Sequence, residues 1–229
     1  MFRSFSGCVD RRGRQSETFN QRELFVKKPG SMKGLEELGR ARLSKNFFLR
    51  DFLHSEIADF YRIPNIPENP DLAIEAGRRL CEELLEPLQR TFGRIAIRSG
   101  YRSEKVTAFG NARRHGARVE LNAAYHIWDL RDKSGLMGAA ACVVVPWFAD
   151  RYGMGADWRG LAWWIHDHLP YSHLEFYPKL AAFNIQWREE PVRRIDSFIA
   201  PKGCLTRRGM ANHRGAHAWW YQGFPKLVL

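Results

Sequence analysis

The chain contains a short segment, SGYRS, that could present a charged side chain to a ligand. It follows Ile95 and Ile97, whose alternation with polar residues predicts a strand running into an exposed turn that carries Arg102. A guanidinium group is always charged and forms a rigid fork that suits a carboxylate. Arg102 could bind a carboxylate of a ligand, or it could bond backbone carbonyl groups of its own loop. The sequence leaves both interpretations open.

Histidine and acidic residues, the usual ligands of zinc, are concentrated in YHIWDLRD and HDHLPYSHLEF. In the second segment His166 and His168 lie two residues apart, so on a helix they point to different faces and do not bind one ion together. His213 and His217 have the spacing of one helical turn, but the glycines around them disfavour a helix. We favour histidines that pack and form hydrogen bonds, with a metal role as the alternative.

The hydrophobic pattern predicts the elements that position these residues. Residues 1–42 are polar and basic, which predicts an N-terminal arm or linker. Residues 43–63 have apolar residues at helical spacing, with Phe52 and Phe60 expected to pack on a core. A second helix is predicted from an Asn69 cap to Phe92, and Pro87 should kink its last turn.

The second half of the chain predicts strands and a further helix. A buried strand is expected over residues 138–148, after a loop-rich segment over 100–137. Residues 157–169 predict an amphipathic helix, and HLEFY and AFNIQW predict a hairpin. The aromatic tail, 201–229, must dock on its own domain or on a neighbouring subunit. Residues 43–200 thus predict an α+β domain with helices on one face of a small, mainly antiparallel sheet.

Composition and charge narrow the class of protein. At 229 residues, with 45% hydrophobic and 27% charged residues, the chain predicts one globular core domain. The net charge of +11 is compatible with nucleic-acid binding, but the arginine pairs are short and separated, so that function is not favoured. A basic surface could equally attract an anionic polymer such as a cell envelope.

The distribution of apolar and cysteine residues predicts that the protein is cytoplasmic as synthesised, without a signal peptide. No stretch approaches the roughly 20 apolar residues that span a bilayer, and the N-terminus breaks into charges before a signal-peptide core could form. The four cysteines are scattered without a CxxC pair, which predicts reduced thiols.

The order of the segments resembles the zinc D-Ala-D-Ala carboxypeptidases and related peptidoglycan peptidases, which share the Hedgehog/DD-peptidase fold. The resemblance covers residues 43–187 and is carried by LLEPLQRTFG, RIAIRSGYRS, the GAAAC strand, and the closing strands LEFY and AFNIQW. It implies this fold for the present chain. It also implies that Arg102, with Tyr101 and Ser99 of the same motif, binds the substrate.

The resemblance further implies where zinc ligands would stand. Members of the family carry a His-x-x-Gly-x-Ala-x-Asp motif and a Trp-x-His motif, which together supply three ligands. Alignment on the GAAAC strand places Gly135 at the first histidine, Cys142 at the aspartate and Asn184 at the last histidine. Glycine has no ligating side chain and asparagine is a poor zinc ligand, so no zinc is expected there. Glu175 matches the family's acidic residue near the metal.

An insertion in this alignment would bring a different set of ligands into register. His126, Asp132 and His173 would then hold zinc. In such an active peptidase the metal would activate water, Glu175 would shuttle the proton and Arg102 would anchor the substrate.

With its aligned ligands changed, the chain is expected to be a non-catalytic relative of the peptidases that serves as a binding or structural module. The expected partners are a cell-wall peptide, an envelope polymer, or protein subunits of a larger assembly, including copies of the chain itself. Because such folds also occur in phage and phage-like particles, a place in a virion is one setting that the resemblance allows. An active zinc carboxypeptidase is the alternative.

Overall fold

The computed structural model of the protein describes residues 26–114 and 118–228. The strands form one six-stranded sheet in the order β1-β2-β4-β3-β5-β6, in which β3 and β5 are parallel and all other neighbours are antiparallel. The prediction of an α+β protein with a mainly antiparallel sheet is confirmed.

The helices are α1 (Met32–Gly39), α2 (Glu56–Tyr61), α3 (Pro70–Leu80), α4 (Glu86–Phe92), α5 (Glu104–Ala112), α6 (Val119–Asn122), α7 (Pro146–Gly153) and α8 (Trp158–His168). The strands are β1 (Ala96–Ser99), β2 (Gly138–Val144), β3 (His173–Phe176), β4 (Phe183–Arg188), β5 (Arg194–Ser197) and β6 (Gly203–Thr206).

The segment that precedes residue 43 contributes to the folded domain. Ser31 caps α1 by accepting a hydrogen bond from the backbone N–H of Gly34, and Leu38 is buried in the core. The interpretation of residues 1–42 as an arm therefore differs from the structure over α1. The part of the expected arm over residues 1–25 lies outside the described residues.

Residues 43–63 do not form the single helix that their spacing predicts. A tight turn leads into a short 3-10 turn at Leu49–Phe52, and only then does α2 begin, capped by Ser55. Phe52 is fully buried, whereas the side chain of Phe60 is 79% exposed. The prediction was wrong because Asp51 and Ser55 both hydrogen-bond to nearby backbone N–H groups, which divides the segment.

The second predicted helix is present with an irregular centre. Asn69 caps α3 through the backbone N–H of Leu72, as expected. A single π-helical turn, Cys81–Leu85, then links α3 to α4. This turn lies just before Pro87, which cannot donate a backbone hydrogen bond. The irregularity that the sequence predicts at Pro87 is therefore found in the π-helical turn that precedes it.

The central strands β2 and β4 have two chemically different faces. On one face Ala139, Ala141 and Ile185 belong to the main core, against which α3 packs. On the other face stand Cys142, Asn184 and Gln186. Segment 119–127 lies against this polar face, because Gln186 donates a 2.7 Å hydrogen bond to the carbonyl of Ala124. Polar side chains are therefore held between the sheet and a loop.

The remaining predictions of elements are mostly confirmed. The helix over 157–169 is α8, and HLEFY and AFNIQW form the antiparallel pair β3 and β4. The strand predicted over residues 138–148 ends at Val144 because Pro146 opens α7.

The C-terminal tail docks on its own domain. Strand β6 pairs with β5, and further on Trp164 donates a 3.1 Å hydrogen bond to the carbonyl of Pro225. Phe224 packs against Phe92 and Trp147. Of the two docking modes left open by the sequence, the described residues adopt the one within the chain, although Trp219 remains 62% exposed.

Candidate functional site

The register of the sheet places four polar side chains in one row across β1, β2, β4 and β3. Ser99 stands opposite Cys142, Cys142 opposite Asn184, and Asn184 opposite Glu175. Side chains directly opposite each other share a face of a sheet and lie within contact distance. Three of the positions that the resemblance singled out, Cys142, Asn184 and Glu175, are thus brought together by strands distant in sequence.

Glu175 is the centre of a hydrogen-bonded group. Its carboxylate accepts a short hydrogen bond from the hydroxyl of Tyr177 and a 3.3 Å bond from the side-chain amide of Asn184. The same amide also donates to the Tyr177 hydroxyl at 2.9 Å. Burial and this bond to Glu175 raise the pKa of Tyr177, which therefore remains a neutral donor. Two donors, Tyr177 and Asn184, thus hold the carboxylate in place.

Arg102 stands beside this group and its backbone is firmly fixed. The amide of Asn65 donates to the carbonyl of Tyr101, and its oxygen accepts from the N–H of Ser103. The N–H of Arg102 itself donates a 2.8 Å bond to the carbonyl of His126. The base of the arginine side chain is therefore preorganised.

The guanidinium of Arg102 has no hydrogen bond or ion pair within the part of the chain that the structure describes. Burial lowers its pKa, and Tyr177, Glu56 and Tyr125 are among the ionisable groups whose charges oppose that shift. Arginine bonding the carbonyls of its own loop, one of the two interpretations of the sequence, is therefore not what the structure has. Arg102 presents free, partly desolvated donors beside the polar row.

Tyr125 and His126 close the site from segment 119–127. The Tyr125 hydroxyl is buried next to Glu175 and close to the Asn184 amide, and it donates its own proton to no acceptor among the described residues. His126 donates from Nδ1 to the carbonyl of Gly100 at 2.8 Å. Burial and the nearby charge of Arg102 lower the pKa of His126 to about 3, so the ring is neutral. An anion that entered this site would meet Arg102 and the Tyr125 hydroxyl as unused donors.

The residues of the SGYRS motif that were expected to bind substrate lie in different surroundings. Ser99 is half-buried at the end of the polar row, where it can contact a ligand. Tyr101 is fully buried, packs against Trp128 and lies with its hydroxyl close to Asp129. The side chain of Tyr101 thus points into the core, and the substrate binding expected of it stays a prediction. Tyr125 and Tyr177 were missed, although Tyr177 follows Glu175 by two residues and must share its strand face.

The aligned zinc-ligand positions do not fit zinc. Gly135 stands in an exposed turn with φ of +77°, which suits glycine and offers no ligand. Burial raises the pKa of Cys142 to about 11, and its neighbours in the row, Ser99 and Asn184, are not zinc ligands. The amide of Asn184 is directed at Glu175 and Tyr177. These three residues cannot hold a catalytic zinc ion in this arrangement.

The alternative set of ligands does not converge either. Asp132 is paired with Arg188, whose Nε donates to its carboxylate at 2.9 Å. His173 is bonded through Nε2 to Asp196 at 2.8 Å, and His126 is committed to Gly100. Within the described residues these three do not form a group whose ligand atoms approach to the 4.8 Å spacing that a shared ion needs. The zinc site at His126, Asp132 and His173 therefore stays a prediction, and in this arrangement each of the three side chains is bonded to another partner.

A different trio, His166, Asp167 and His217, does bring its ligand atoms within 4.8 Å of one another. All four ring nitrogens are already engaged. His166 contacts the Tyr171 hydroxyl and the carbonyl of His213, and His217 contacts Asp167 and the carbonyl of Asn212. His217 also stacks on Trp163 with ring centroids 4.0 Å apart. These contacts attach the tail to α8, in keeping with the packing role favoured for the histidines.

Comparisons of the chain with family models, curated proteins and solved structures give no match. The resemblance to the zinc peptidases is accordingly carried by the motif residues and their order. No helix within residues 26–114 and 118–228 has the length and apolar character needed to cross a bilayer.

Proposed function

We propose that this domain is a non-catalytic relative of the peptidoglycan peptidases that binds a peptide through its free terminal carboxylate. The observation that carries the proposal is the guanidinium of Arg102, which is partly desolvated, fixed at its base and free of protein partners among the described residues. A cation kept in such a position loses hydration without compensation until an anion binds. A carboxylate is the anion that the geometry of a guanidinium fits best.

The groups around Arg102 suit the end of a peptide. The unused Tyr125 hydroxyl can donate to a carboxylate or carbonyl oxygen, and Ser99 offers a further hydroxyl at the end of the row. Glu175 lies beyond them and can accept from a peptide N–H, because each carboxylate oxygen has two acceptor positions. Cell-wall stem peptides are the proposed ligand class, on the strength of the motif residues that resemble the peptidases.

Binding without zinc-dependent hydrolysis follows from the ligand chemistry. The positions aligned with the zinc ligands are a glycine, a single cysteine and an asparagine whose amide is already engaged. A carboxylate such as Glu175 cannot by itself lower the pKa of water to about 7, as a bound metal ion does. The active zinc carboxypeptidase therefore remains an outcome for experiment to exclude.

Titration of the protein with a short peptide ending in D-alanyl-D-alanine tests the proposal. The Arg102→Gln variant should lose at least about tenfold in affinity, because charge-assisted hydrogen bonds contribute about 1.5–3 kcal/mol. Its thermal stability should stay equal or rise, since the substitution removes a desolvated charge. The exposed Arg94 supplies the control, and Arg94→Gln should bind like the wild type. Lower stability of Arg102→Gln with unchanged binding would show that Arg102 only braces the fold.

A further inference from the structure

A second anion site is indicated by a cleft at the far edge of the sheet, away from the polar row. The cleft has a volume of about 350 Å³ and lies between the loop 190–192 and the chain that follows β6. Its lining contains four arginines and one carboxylate: Arg188, Arg194, Arg207, Arg208 and Glu190. A guanidinium group that already pairs with a carboxylate of the protein has fewer donors left for a ligand.

Two of the four arginines are committed to carboxylates. Arg188 donates to Asp132 through Nε and Nη2 and to the carbonyl of Glu190 through Nη1. Arg194 forms a two-pronged pair with Asp196 through Nε and Nη2. These pairs hold the planes of both guanidinium groups in the wall of the cleft. The Nη1 group of Arg194 has no partner within residues 26–114 and 118–228.

The other two arginines retain most of their donors. Arg208 uses Nη2 to reach the carbonyl of Pro191 at 2.8 Å, which leaves its Nε and Nη1 without a partner in the described residues. The side chain of Arg207 has no hydrogen bond or ion pair in that same part of the chain, and the residue is exposed. The free donors of the cleft thus come from Arg194, Arg207 and Arg208, opposed by the carboxylate of Glu190 alone among the lining residues.

The surroundings of the cleft add positive charge. Arg193 lies behind it, bonded to the carbonyls of Leu169 and His166, and both burial and the nearby Arg208 lower its pKa. Burial, then the charges of Arg193, Arg208 and Arg214, lower the pKa of His213 as well. The positive charges of Arg193, Arg208 and Arg214 thus act together at His213, and clustered positive charge of this kind attracts anions.

We propose that this cleft binds a phosphate group. Donors from three arginines on two different segments converge there, and a tetrahedral phosphate can accept from several guanidinium groups at once, whereas one carboxylate occupies a single fork. The proposal is independent of the peptide site at Arg102, because it rests on other residues. Phosphate can arrive as a free ion or within a phosphodiester, and both share the chemistry that the cleft recognises.

Calorimetric titration of the full chain with inorganic phosphate and, separately, with diethyl phosphate tests the site and distinguishes the two sources. Binding of inorganic phosphate alone would assign a free phosphate or monoester, and binding of diethyl phosphate would assign a phosphodiester. Affinity should fall as salt is added, because the cleft is open to solvent. Failure of both probes to bind at low ionic strength would overturn the proposal.

Variants of the lining arginines test whether phosphate binds in this cleft. Arg207→Gln and Arg208→Gln should each weaken binding of the successful probe by about tenfold, and the double variant should abolish it. Glu190→Gln should strengthen binding by removing the opposing carboxylate. Arg118→Gln is the matched control, since Arg118 is exposed and outside the lining, and its affinity should equal that of the wild type. Equal affinity in Arg207→Gln and Arg208→Gln would contradict the site even if phosphate binds elsewhere.

Discussion

Asn184 and Glu175 stand directly opposite each other on β4 and β3, with the amide nitrogen 3.3 Å from the carboxylate oxygen. In the peptidases that the chain resembles, a zinc ligand is expected at the position of Asn184. Here the residue instead donates to the carboxylate beside it. The pair thus forms a hydrogen bond between two strands at a position where the resemblance implies a ligand.

Exchange of this amide for a carboxylate tests the pair. Asn184→Asp removes both donated hydrogen bonds and sets two negative charges side by side, which should lower the free energy of unfolding by about 2 kcal/mol at pH 7. The double variant Glu175→Gln with Asn184→Asp restores one donor and one acceptor. Chemical denaturation should show recovery of a large part of the loss in the double variant, and strictly additive losses would argue against the contact.

Close approach of the 119–127 segment to the sheet makes Gly138 necessary. A Cβ atom at this position would lie 2.4 Å from the carbonyl oxygen of Ala124 and 2.9 Å from that of Trp187. Gly138→Ala should destabilise the protein by about 2 kcal/mol or more, because backbone atoms must move. It should also weaken peptide binding by displacing Tyr125.

Gly153 provides the control for Gly138. An added Cβ there meets no atom within 4 Å, so Gly153→Ala should leave the melting temperature unchanged or slightly higher. Equal melting temperatures for the two variants would contradict the close contact at Gly138.

Two buried neutral histidines should make stability depend on pH. Burial is the main cause that lowers the pKa of His126 to about 3 and that of His166 to about 4, from an ordinary value of 6.5. Between these values the unfolded chain binds protons that the folded chain does not, so stability falls as pH decreases from about 6.5 towards 4. The slope approaches about 1.4 kcal/mol per pH unit for each histidine.

Denaturation at a series of pH values measures this effect. His166→Gln should reduce the slope between pH 6.5 and 4 relative to the wild type. A wild-type profile that is flat over this interval would contradict the neutral, buried state of both rings.

The attachment of the tail depends on Asp167, whose carboxylate receives hydrogen bonds from His217 and from the hydroxyl of Tyr221, both at 2.7 Å. Asp167→Ala should therefore raise the rate of amide hydrogen exchange in residues 211–224 while the sheet stays protected. Asp150→Ala, at an exposed position of α7, should leave exchange unchanged. Unchanged exchange in Asp167→Ala would mean that the aromatic contacts of Phe224 suffice to hold the tail.

Local signals in the sequence were enough to predict the elements that have a strong helix cap or a clear alternation of apolar and polar residues. The Asn69 cap, α8 and the β3–β4 hairpin were predicted because each depends on residues close together in the chain. Residues 43–63 were predicted wrongly because side-chain bonds to the backbone outweigh apolar spacing.

The site was predictable only in part, since it depends on contacts between distant segments. The resemblance singled out Arg102, Cys142, Asn184 and Glu175, and the register of the sheet brings the last three together. No local pattern distinguishes Tyr101, which enters the core, from Arg102, its neighbour, which does not. The guanidinium of Arg102 forms no hydrogen bond or ion pair within the described residues, and only the folded chain reveals this.

The most direct test of the account is to follow a D-alanyl-D-alanine peptide and its C-terminally amidated form with metal-free protein and with zinc-supplemented protein, measuring both binding and release of D-alanine. We expect the acid form to bind equally well in both preparations, the amide to bind at least about tenfold more weakly, and no D-alanine to be released. Release of D-alanine that requires zinc, or equal binding of acid and amide, would contradict the claim that Arg102 serves a non-catalytic carboxylate site.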